Sequence, residues 1–448
     1  MHVAIIGNGI SGITAARYIR KLSDYKITVI SAETDYFFSR TALMYVYMGH
    51  MRFKDTQPYE NWFWKKNRIE LKKAFIQKVD TTAKQLTISS GESISYDKLL
   101  IATGSKPNKF GWPGQDLPGV QGLYSYQDLQ LLEKNTQQKV NRAVIVGGGL
   151  IGIEMAEMLH SRHIPVTFLV RETNYWDNVL PEGEAKMINR HIREHGFDLK
   201  LATELKEIKA GADGRVKSVI TNKGEEIECQ VVGLTAGVSP NINFLKESEI
   251  ETQRGIMVNL NQQTNIPDVY AAGDCAQFHQ AVEGRRPVEQ VWYTGKMQGK
   301  VAAENICGIQ SQYNPGPWFN SAKFLDIEYQ TYGVVMPKLR EGETNIYWEH
   351  EDGKKCIHIV YNQSDKRFIG INVFGVRMRH EIFDRFLKDG RDVEYVLQNL
   401  ASASFDPEFF KTYEQGIVDV YNKKTGKQLK LKNKRGIKAV LSILNPLK

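Results

Sequence analysis

Three glycines near the start of the chain have the spacing of a dinucleotide-binding turn, in the segment GNGISG between a predicted strand (Val3 to Ile6) and a predicted helix. The first glycine permits a tight bend, the second lets the backbone approach a pyrophosphate, and the third lets the helix pack closely on the strand. Free N–H groups at the helix start then bind the phosphates. The residues predicted to form this cradle are Gly7, Gly9, Ile10, Ser11 and Gly12.

An acidic residue ends the next predicted strand, which runs from Lys26 to Glu33. Glu33 follows Gly12 by 21 residues. At that distance its carboxylate can accept hydrogen bonds from the two hydroxyls of a bound ribose. The fingerprint, its flanking strands and this acid together predict a dinucleotide site.

A second fingerprint, GGGLIG, lies between the predicted strand Ala143 to Val146 and another predicted helix. Its predicted ligand contacts are Gly147, Gly149, Leu150, Ile151 and Gly152. Arg171 and Glu172 follow the next predicted strand. An acid there favours the free ribose of NADH and a cation favours the extra phosphate of NADPH, so the choice between them stays open.

Both turns need strand–helix–strand units to position them, and that pattern repeats about 140 residues apart. It predicts an α/β protein with largely parallel sheets. A Gly- and Pro-rich stretch at 104–122 and a break at 313–317 suggest domain crossings. We expect one nucleotide domain from 1–114 and 241–312, a second from 115–240, and a third domain at 313–448.

The charge of the chain is concentrated at its end. The net charge is +8, and nine lysines and arginines follow the last acidic residue, Asp419. The remainder is close to neutral, which argues against a nucleic-acid-binding body. The four cysteines lie far apart without metal-ligand spacing, so we expect reduced structural thiols. No secretory signal or membrane-spanning apolar run is recognisable, which predicts a cytoplasmic protein.

Four motifs in order resemble the pyridine nucleotide-disulfide oxidoreductase superfamily over about residues 1 to 310. They are GNGISG, IATGSKP at 101–107, GGGLIGIE, and AAGDCA at 271–276. The resemblance implies two Rossmann-like, doubly wound dinucleotide-binding domains plus a C-terminal α+β interface domain. It implies an enzyme that passes a hydride from NADH or NADPH to FAD, and then passes electrons to an external acceptor.

The resemblance also implies residue roles. The first fingerprint, with Glu33, Thr103, Gly104, Gly273 and Asp274, matches FAD contacts. The second fingerprint matches the nicotinamide dinucleotide site, with Arg171 and the loop residue Gly237 beside it. Glu154 matches an acid near the nicotinamide and flavin rings, which we assign to positioning. No catalytic acid, base or nucleophile is assigned.

One difference from the disulfide reductases indicates which branch of the family the chain resembles. Disulfide reductases carry a redox-active cysteine pair, or one reactive cysteine, shortly after the ribose acid. In this chain the corresponding segment, Tyr36 to Leu43, contains no cysteine. Without a thiolate, thiol–disulfide exchange has no nucleophile. The segment is more similar to ferredoxin- and rubredoxin-reductase-like members and to the flavin domain of nitrite reductases. Arg40 is then expected to hold an FAD phosphate or to stabilise anionic reduced flavin.

The acceptor stays open between an iron–sulfur carrier of the ferredoxin type and a quinone at the membrane surface. A third alternative is a slow redox sensor that binds both nucleotides. The basic tail at 423–448 suits docking on anionic lipid at the inner face of a membrane, docking on an acidic carrier, or simple solvation. The resemblance also makes a homodimer possible.

Overall fold

The structure is a computed structural model that describes residues 1–405, 409 and 411–432. The chain divides into two compact units, the first comprising 1–171 and 202–315 and the second 172–201 and 316–448. Most of the basic tail at 423–448 lies outside the described residues. Among those that are described, no helix is long and apolar enough to cross a membrane. The division into three domains stays a prediction.

The first unit contains a five-stranded parallel sheet. Its strands lie in the order Val269–Ala271, Lys98–Ile101, His2–Ile6, Lys26–Ser31 and Ile69–Lys73. The central strand is fully buried from Val3 onward, as expected for a parallel sheet covered on both faces.

A second set of parallel strands in the same unit repeats this arrangement. The strands Val166–Leu169, Ala143–Val146, Val231–Leu234 and Val120–Gln121 pair in that order. Every residue of Ala143–Val146 is buried. The two parallel assemblies confirm the predicted α/β class with Rossmann-like sheets.

The first unit contains further short elements around these sheets. Its α-helices are Ile10–Leu22, Leu43–Tyr47, Asn61–Lys66, Tyr126–Asn135, Leu150–His160 and Trp292–Ile306. The remaining strands are Ile76–Asp80, Gln85–Ile88, Ser93–Ser95, Ser105–Pro107, Leu205–Ala210, Val216–Thr221, Glu226–Glu228, Val238–Pro240, Ile256–Val258 and Ala276–Phe278.

The second unit is built on an antiparallel sheet. Its strand order is Phe319–Phe324, Ile327–Gly333, Phe368–Phe374, Cys356–Asn362 and Glu343–Glu349. The helices His380–Lys388, Val393–Gln398 and Glu414–Thr425 share one apolar core with it. Helix Glu182–Glu194 and strand Asp198–Lys200 also belong to this unit. The α+β character expected of the C-terminal region is confirmed.

Two helices of the first unit pack unusually closely, and glycines make this possible. A Cβ added at Gly299, in the helix Trp292–Ile306, would lie 2.3 Å from the carbonyl oxygen of Ser11. A Cβ at Gly295 would lie 2.9 Å from the Ser11 hydroxyl. The N-terminal half of this helix therefore contacts the start of Ile10–Leu22 almost backbone to backbone.

We predict that Gly299→Ala destabilises the first unit by about 1–3 kcal/mol, because the new methyl group meets backbone rather than a flexible side chain. The loss should appear even though alanine is about 1 kcal/mol better than glycine in an isolated helix. Urea unfolding measures it. Lys300→Ala, at a largely exposed position of the same helix, should change stability by less than about 0.5 kcal/mol. Equal stability of Gly299→Ala and wild type would contradict the close packing.

Candidate dinucleotide-binding sites

Two of the three glycines in the first turn, Gly7 and Gly12, leave no room for a side chain. Gly7 has φ +111°, and a Cβ there would lie 2.1 Å from the carbonyl oxygen of Ala102 on the neighbouring strand. Its N–H donates to the carbonyl of Ile30 at 2.7 Å. A Cβ at Gly12 would lie 2.0 Å from the Gly7 carbonyl oxygen. The turn is thus pressed against the carboxyl ends of two strands, where open α/β sheets bind ligands.

The second glycine in this turn faces open space. Gly9 is the N-cap of the helix Ile10–Leu22, with φ −72°, and an added Cβ would meet no atom within 4 Å. It has no side chain to cap the helix, and the first helical turn contains no acid. The N–H groups of that turn, formed by Ile10, Ser11 and Gly12, therefore make an electropositive end suited to a phosphate.

The second turn repeats this geometry. Gly147 has φ +124°, and a Cβ there would lie 2.7 Å from the carbonyl oxygen of Thr235. Its N–H donates to the carbonyl of Leu169 at 3.0 Å. A Cβ at Gly149 would meet no atom within 4 Å, and Leu150, Ile151 and Gly152 begin the helix without an acid. The same local chemistry thus occurs twice in one unit, which fits two dinucleotides.

Glu33 lies two residues beyond its strand, since Lys26–Ser31 ends earlier than predicted. Its carboxylate accepts two hydrogen bonds from Arg40, at 2.8 and 2.6 Å, and one from the N–H of Tyr126 at 2.8 Å. Burial disfavours the charge of Arg40, but the hydrogen bonds and charge of Glu33 outweigh it and raise the pKa of Arg40. Glu33 also lines a cavity of about 190 Å³, so a ribose can approach it.

Arg40 is therefore committed to protein groups. Besides Glu33 it donates to the carbonyl oxygen of Tyr124 at 2.6 Å and lies over the Tyr124 ring, 4.5 Å from its centroid. In this arrangement Arg40 fixes the direction of the Glu33 carboxylate. The sequence-based role of Arg40 in binding an FAD phosphate, or in stabilising reduced flavin, stays a prediction.

Asp274 lies beside the first fingerprint, as the predicted FAD site requires. A Cβ added to its neighbour Gly273 would lie 2.3 Å from the Ser11 hydroxyl. Asp274 accepts hydrogen bonds from Ser105 and from the Tyr124 hydroxyl, both at 3.2 Å. Burial raises the pKa of Asp274, and the two donors and Arg40 partly offset that effect.

Sequence reasoning missed Ser105, Tyr124 and Gln290. Gln290 donates to the Ser105 hydroxyl at 2.7 Å, and the Tyr124 hydroxyl accepts from the Ser105 N–H at 2.9 Å. Ser105 stands inside the IATGSKP motif, which could have pointed to it. Tyr124 has no local signal, because its partner Asp274 is 150 residues away.

The chain crossing predicted at Thr103 and Gly104 is tied to the segment near Asn241. Thr103 donates to the carbonyl of Asn241 at 2.8 Å, and the Asn241 N–H donates to the carbonyl of Gly104 at 2.9 Å. Gly237 accepts from the N–H of Asn108 at 3.1 Å. Arg171 is exposed just after strand Val166–Leu169. The ligand contacts predicted for these residues remain predictions.

Glu154 lies on the helix that follows the second glycine turn. Its side chain is exposed, with the second acid Glu157 on the same helix. Loss of hydration and, to a lesser extent, the neighbouring Glu157 raise the pKa of Glu154 to about 7. A carboxyl with such a pKa changes charge near neutrality, and perturbed acids of this kind are concentrated at functional sites.

Known proteins are similar to this chain in sequence and in fold. The family model described as pyridine nucleotide-disulphide oxidoreductase matches residues 1–299. The assimilatory nitrate reductase electron transfer subunit of Bacillus subtilis is 26% identical over 417 residues, which are 92% of this chain and 52% of that protein. The chain thus spans about half the length of this relative.

A shorter relative is covered more fully. The NADH-rubredoxin oxidoreductase of Clostridium acetobutylicum is 31% identical over 314 residues, covering 70% of this chain and 76% of that protein. Among solved structures, an NAD-dependent persulfide reductase from A. fulgidus superposes with a TM-score of 0.82 at 21% identity. That match covers 97% of this chain and 88% of the other, and it establishes similarity of fold.

The two open glycines allow the two sites to be separated. An alanine at Gly9 or Gly149 is sterically free in the protein but occupies the space expected for a pyrophosphate. We predict that Gly9→Ala lowers FAD affinity about 10- to 100-fold, equivalent to one or two lost charge-assisted hydrogen bonds. Gly149→Ala should keep FAD and raise the KM for the reduced nicotinamide nucleotide by a similar factor.

Flavin content after gel filtration and steady-state kinetics measure these effects, with the unfolding midpoint of each apoprotein as the control for folding. Unchanged FAD binding in Gly9→Ala, or loss of FAD in Gly149→Ala, would contradict the assignment of the two turns.

The raised pKa of Glu154 has a consequence for stability. Because the folded protein holds this proton more tightly than the unfolded chain, the contribution to stability is full below the ordinary pKa and lost as pH rises through about 7. We predict that Glu154→Gln is stabilised relative to wild type at pH 8 but not at pH 4. Unfolding midpoints at the two pH values measure this. Glu247→Gln, at an exposed acid of the same unit, is the control, and identical behaviour of both variants would refute the prediction.

Proposed function

Because the chain belongs to the pyridine nucleotide-disulphide oxidoreductase family, we propose that it takes a hydride from NADH or NADPH onto FAD and delivers the electrons to an external iron–sulfur carrier. The family membership confirms the resemblance inferred from four motifs, and it makes the chain an FAD-dependent oxidoreductase with FAD and NAD(P)H as cofactors. The complete reaction and the acceptor are the proposal.

The observation that carries the proposal is the lack of an internal thiol acceptor. The segment Tyr36 to Leu43 has no cysteine. All four cysteines of the chain are free thiols outside it: Cys229, Cys275, Cys307 and Cys356. Burial raises the pKa of each of these thiols, that of Cys229 to about 12. None is therefore a ready thiolate nucleophile, and electrons need an acceptor outside the chain.

The side chains near the first turn are suited to holding a flavin dinucleotide. Glu33 is positioned for a ribose by Arg40, and Asp274 is positioned by Ser105 and Tyr124. When bound, FAD supplies hydride acceptance and electron donation, and the protein supplies binding and orientation.

An iron–sulfur carrier is the favoured acceptor because the relative from Clostridium acetobutylicum is named for rubredoxin. An exposed aromatic residue offers a contact for such a protein. Trp292 begins the helix that packs on the FAD fingerprint and is 37% exposed. Lys296, one turn later, lies 5.5 Å from the Trp292 ring centroid. An aromatic and cationic pair suits an acidic carrier.

The quinone alternative and peripheral attachment to the inner face of a membrane depend on the basic tail, most of which lies outside the described residues. We keep both as competing proposals, together with a homodimer and the slow redox sensor. The quinone reductase predicts a different acceptor and the redox sensor a different rate, so one kinetic experiment separates both from the proposed reductase.

The experiment is anaerobic stopped-flow reduction of the bound flavin, first by NADH and then by NADPH, followed by mixing with an acceptor. We expect reduction at about 1–10³ per second with at least one nucleotide. Reoxidation should be fast with rubredoxin or ferredoxin and slow with a soluble quinone. The comparison is repeated with Trp292→Ala, which should slow transfer to the carrier while leaving flavin reduction unchanged.

Rapid reoxidation by quinone, strongest with anionic vesicles and lost on deletion of 433–448, would favour the membrane alternative instead. Flavin reduction far slower than turnover would favour the sensor. Either result would overturn the proposal.

A further inference from the structure

A cluster of two histidines and an aspartate in the second unit lies outside the glycine turns described above. Two histidines, His191 and His195, lie one turn apart at the C-terminal end of helix Glu182–Glu194 and its cap. Residues at this spacing project from the same face of a helix. The imidazole rings meet edge to face, with centroids 4.3 Å apart.

A carboxylate approaches both rings from another part of the unit. Asp326 stands in the two-residue turn between the paired strands Phe319–Phe324 and Ile327–Gly333. Its Oδ1 atom is 2.6 Å from Nε2 of His191 and 3.2 Å from Nε2 of His195. One potential ligand atom from each of the three side chains lies within 4.8 Å of the others.

The orientation of His195 is that of a metal ligand. Its Nδ1 lies 3.0 Å from the carbonyl oxygen of His191, where a protonated Nδ1 donates a hydrogen bond. That bond fixes the tautomer in which Nε2 carries the lone pair, and Nε2 is the atom turned toward Asp326. A hydrogen bond from the second ring nitrogen to a backbone carbonyl is the usual support for a ligating histidine.

His191 places a second imidazole at the same carboxylate. Its side chain is only 1% exposed, and its Nε2 is the ring nitrogen that faces Asp326, at 2.6 Å. A cation in the cluster would therefore be bound through Nε2 of both histidines.

We propose that His191, His195 and Asp326 bind Zn²⁺ or a similar divalent transition metal ion. Two imidazoles and one carboxylate are ligands that Zn²⁺ accepts, at about 2.0–2.2 Å each. Tetrahedral ligand atoms are then roughly 3.3 Å apart, so the 2.6 Å contact must widen by only about 0.7 Å. Asp326 is 58% exposed, which leaves solvent to complete the coordination.

Two charged side chains near the cluster have opposite effects on cation binding. Lys354 lies 3.8 Å from Oδ2 of Asp326, the oxygen not used in the cluster, and weakens cation binding. Glu194 lies 4.0 Å from Nδ1 of His191, and its negative charge favours cation binding. The bound ion would connect the end of one helix to a hairpin turn more than a hundred residues away, which makes it a structural cross-link within this unit.

The test uses the full-length flavoprotein without a histidine tag, stripped with EDTA. Calorimetric titration with ZnCl₂ should give one site per chain, and Co²⁺ should give visible bands beyond the flavin absorption. Zn²⁺ should also raise the unfolding midpoint of the protein. His195→Ala and Asp326→Asn should each weaken Zn²⁺ binding at least about 10- to 100-fold and abolish the rise in midpoint.

His350→Gln is the matched control, since His350 pairs with Asp352 at 3.1 Å in the same unit without a second imidazole. It should bind Zn²⁺ as wild type does. Because Asp326 and His195 are solvent-accessible, their variants are expected to fold, which retained flavin content and circular dichroism verify. Absence of a stoichiometric site in the wild type, or equal Zn²⁺ affinity in Asp326→Asn and wild type, would overturn the proposal.

Discussion

The structure depends on two places where a chain turn touches the end of a neighbouring strand. At Gly7 the carbonyl of Ala102, and at Gly147 the carbonyl of Thr235, occupies the volume of a side chain. The contact places the start of a helix directly above the carboxyl edge of a parallel sheet. Unsatisfied N–H groups are thereby collected where a phosphate can reach them. Any larger residue would lift the helix away and disperse the site.

Around the first of these turns, polar side chains from distant segments of the chain are joined by a series of hydrogen bonds. Arg40 holds Glu33, Tyr124 joins Arg40 to Asp274, and Ser105 links Asp274 to Gln290. The two acids are held by donors rather than by one another. These donors give each carboxylate a fixed direction.

The glycine turns and their strands could be predicted from sequence because their signals are local. Buried strands give continuous apolar runs, and glycine is required within a few residues of them. Strand ends were less predictable: Lys26–Ser31 stops before Glu33, since the Ser31 hydroxyl bonds Asn8 of the glycine turn. Tyr124 could not be predicted, because its role depends on a partner brought near only by folding.

In the second unit, too, contacts between distant segments could not be predicted from the sequence. The α+β character of the C-terminal region was implied by the family resemblance, whereas the meeting of His191 and His195 with Asp326 was not predicted. More than a hundred residues lie between the two histidines and Asp326 in the sequence. Contacts of this range are set by topology, and no periodicity in one sequence records them.

The central claim is that one chain holds a flavin and a nicotinamide nucleotide so that a hydride passes between them. Its most direct test is the visible spectrum of the purified protein under anaerobic titration with NADH and NADPH. The account predicts one FAD per chain and complete bleaching by a stoichiometric amount of one of these nucleotides. A protein that stays colourless with excess FAD, or a yellow protein that neither nucleotide bleaches, would contradict it.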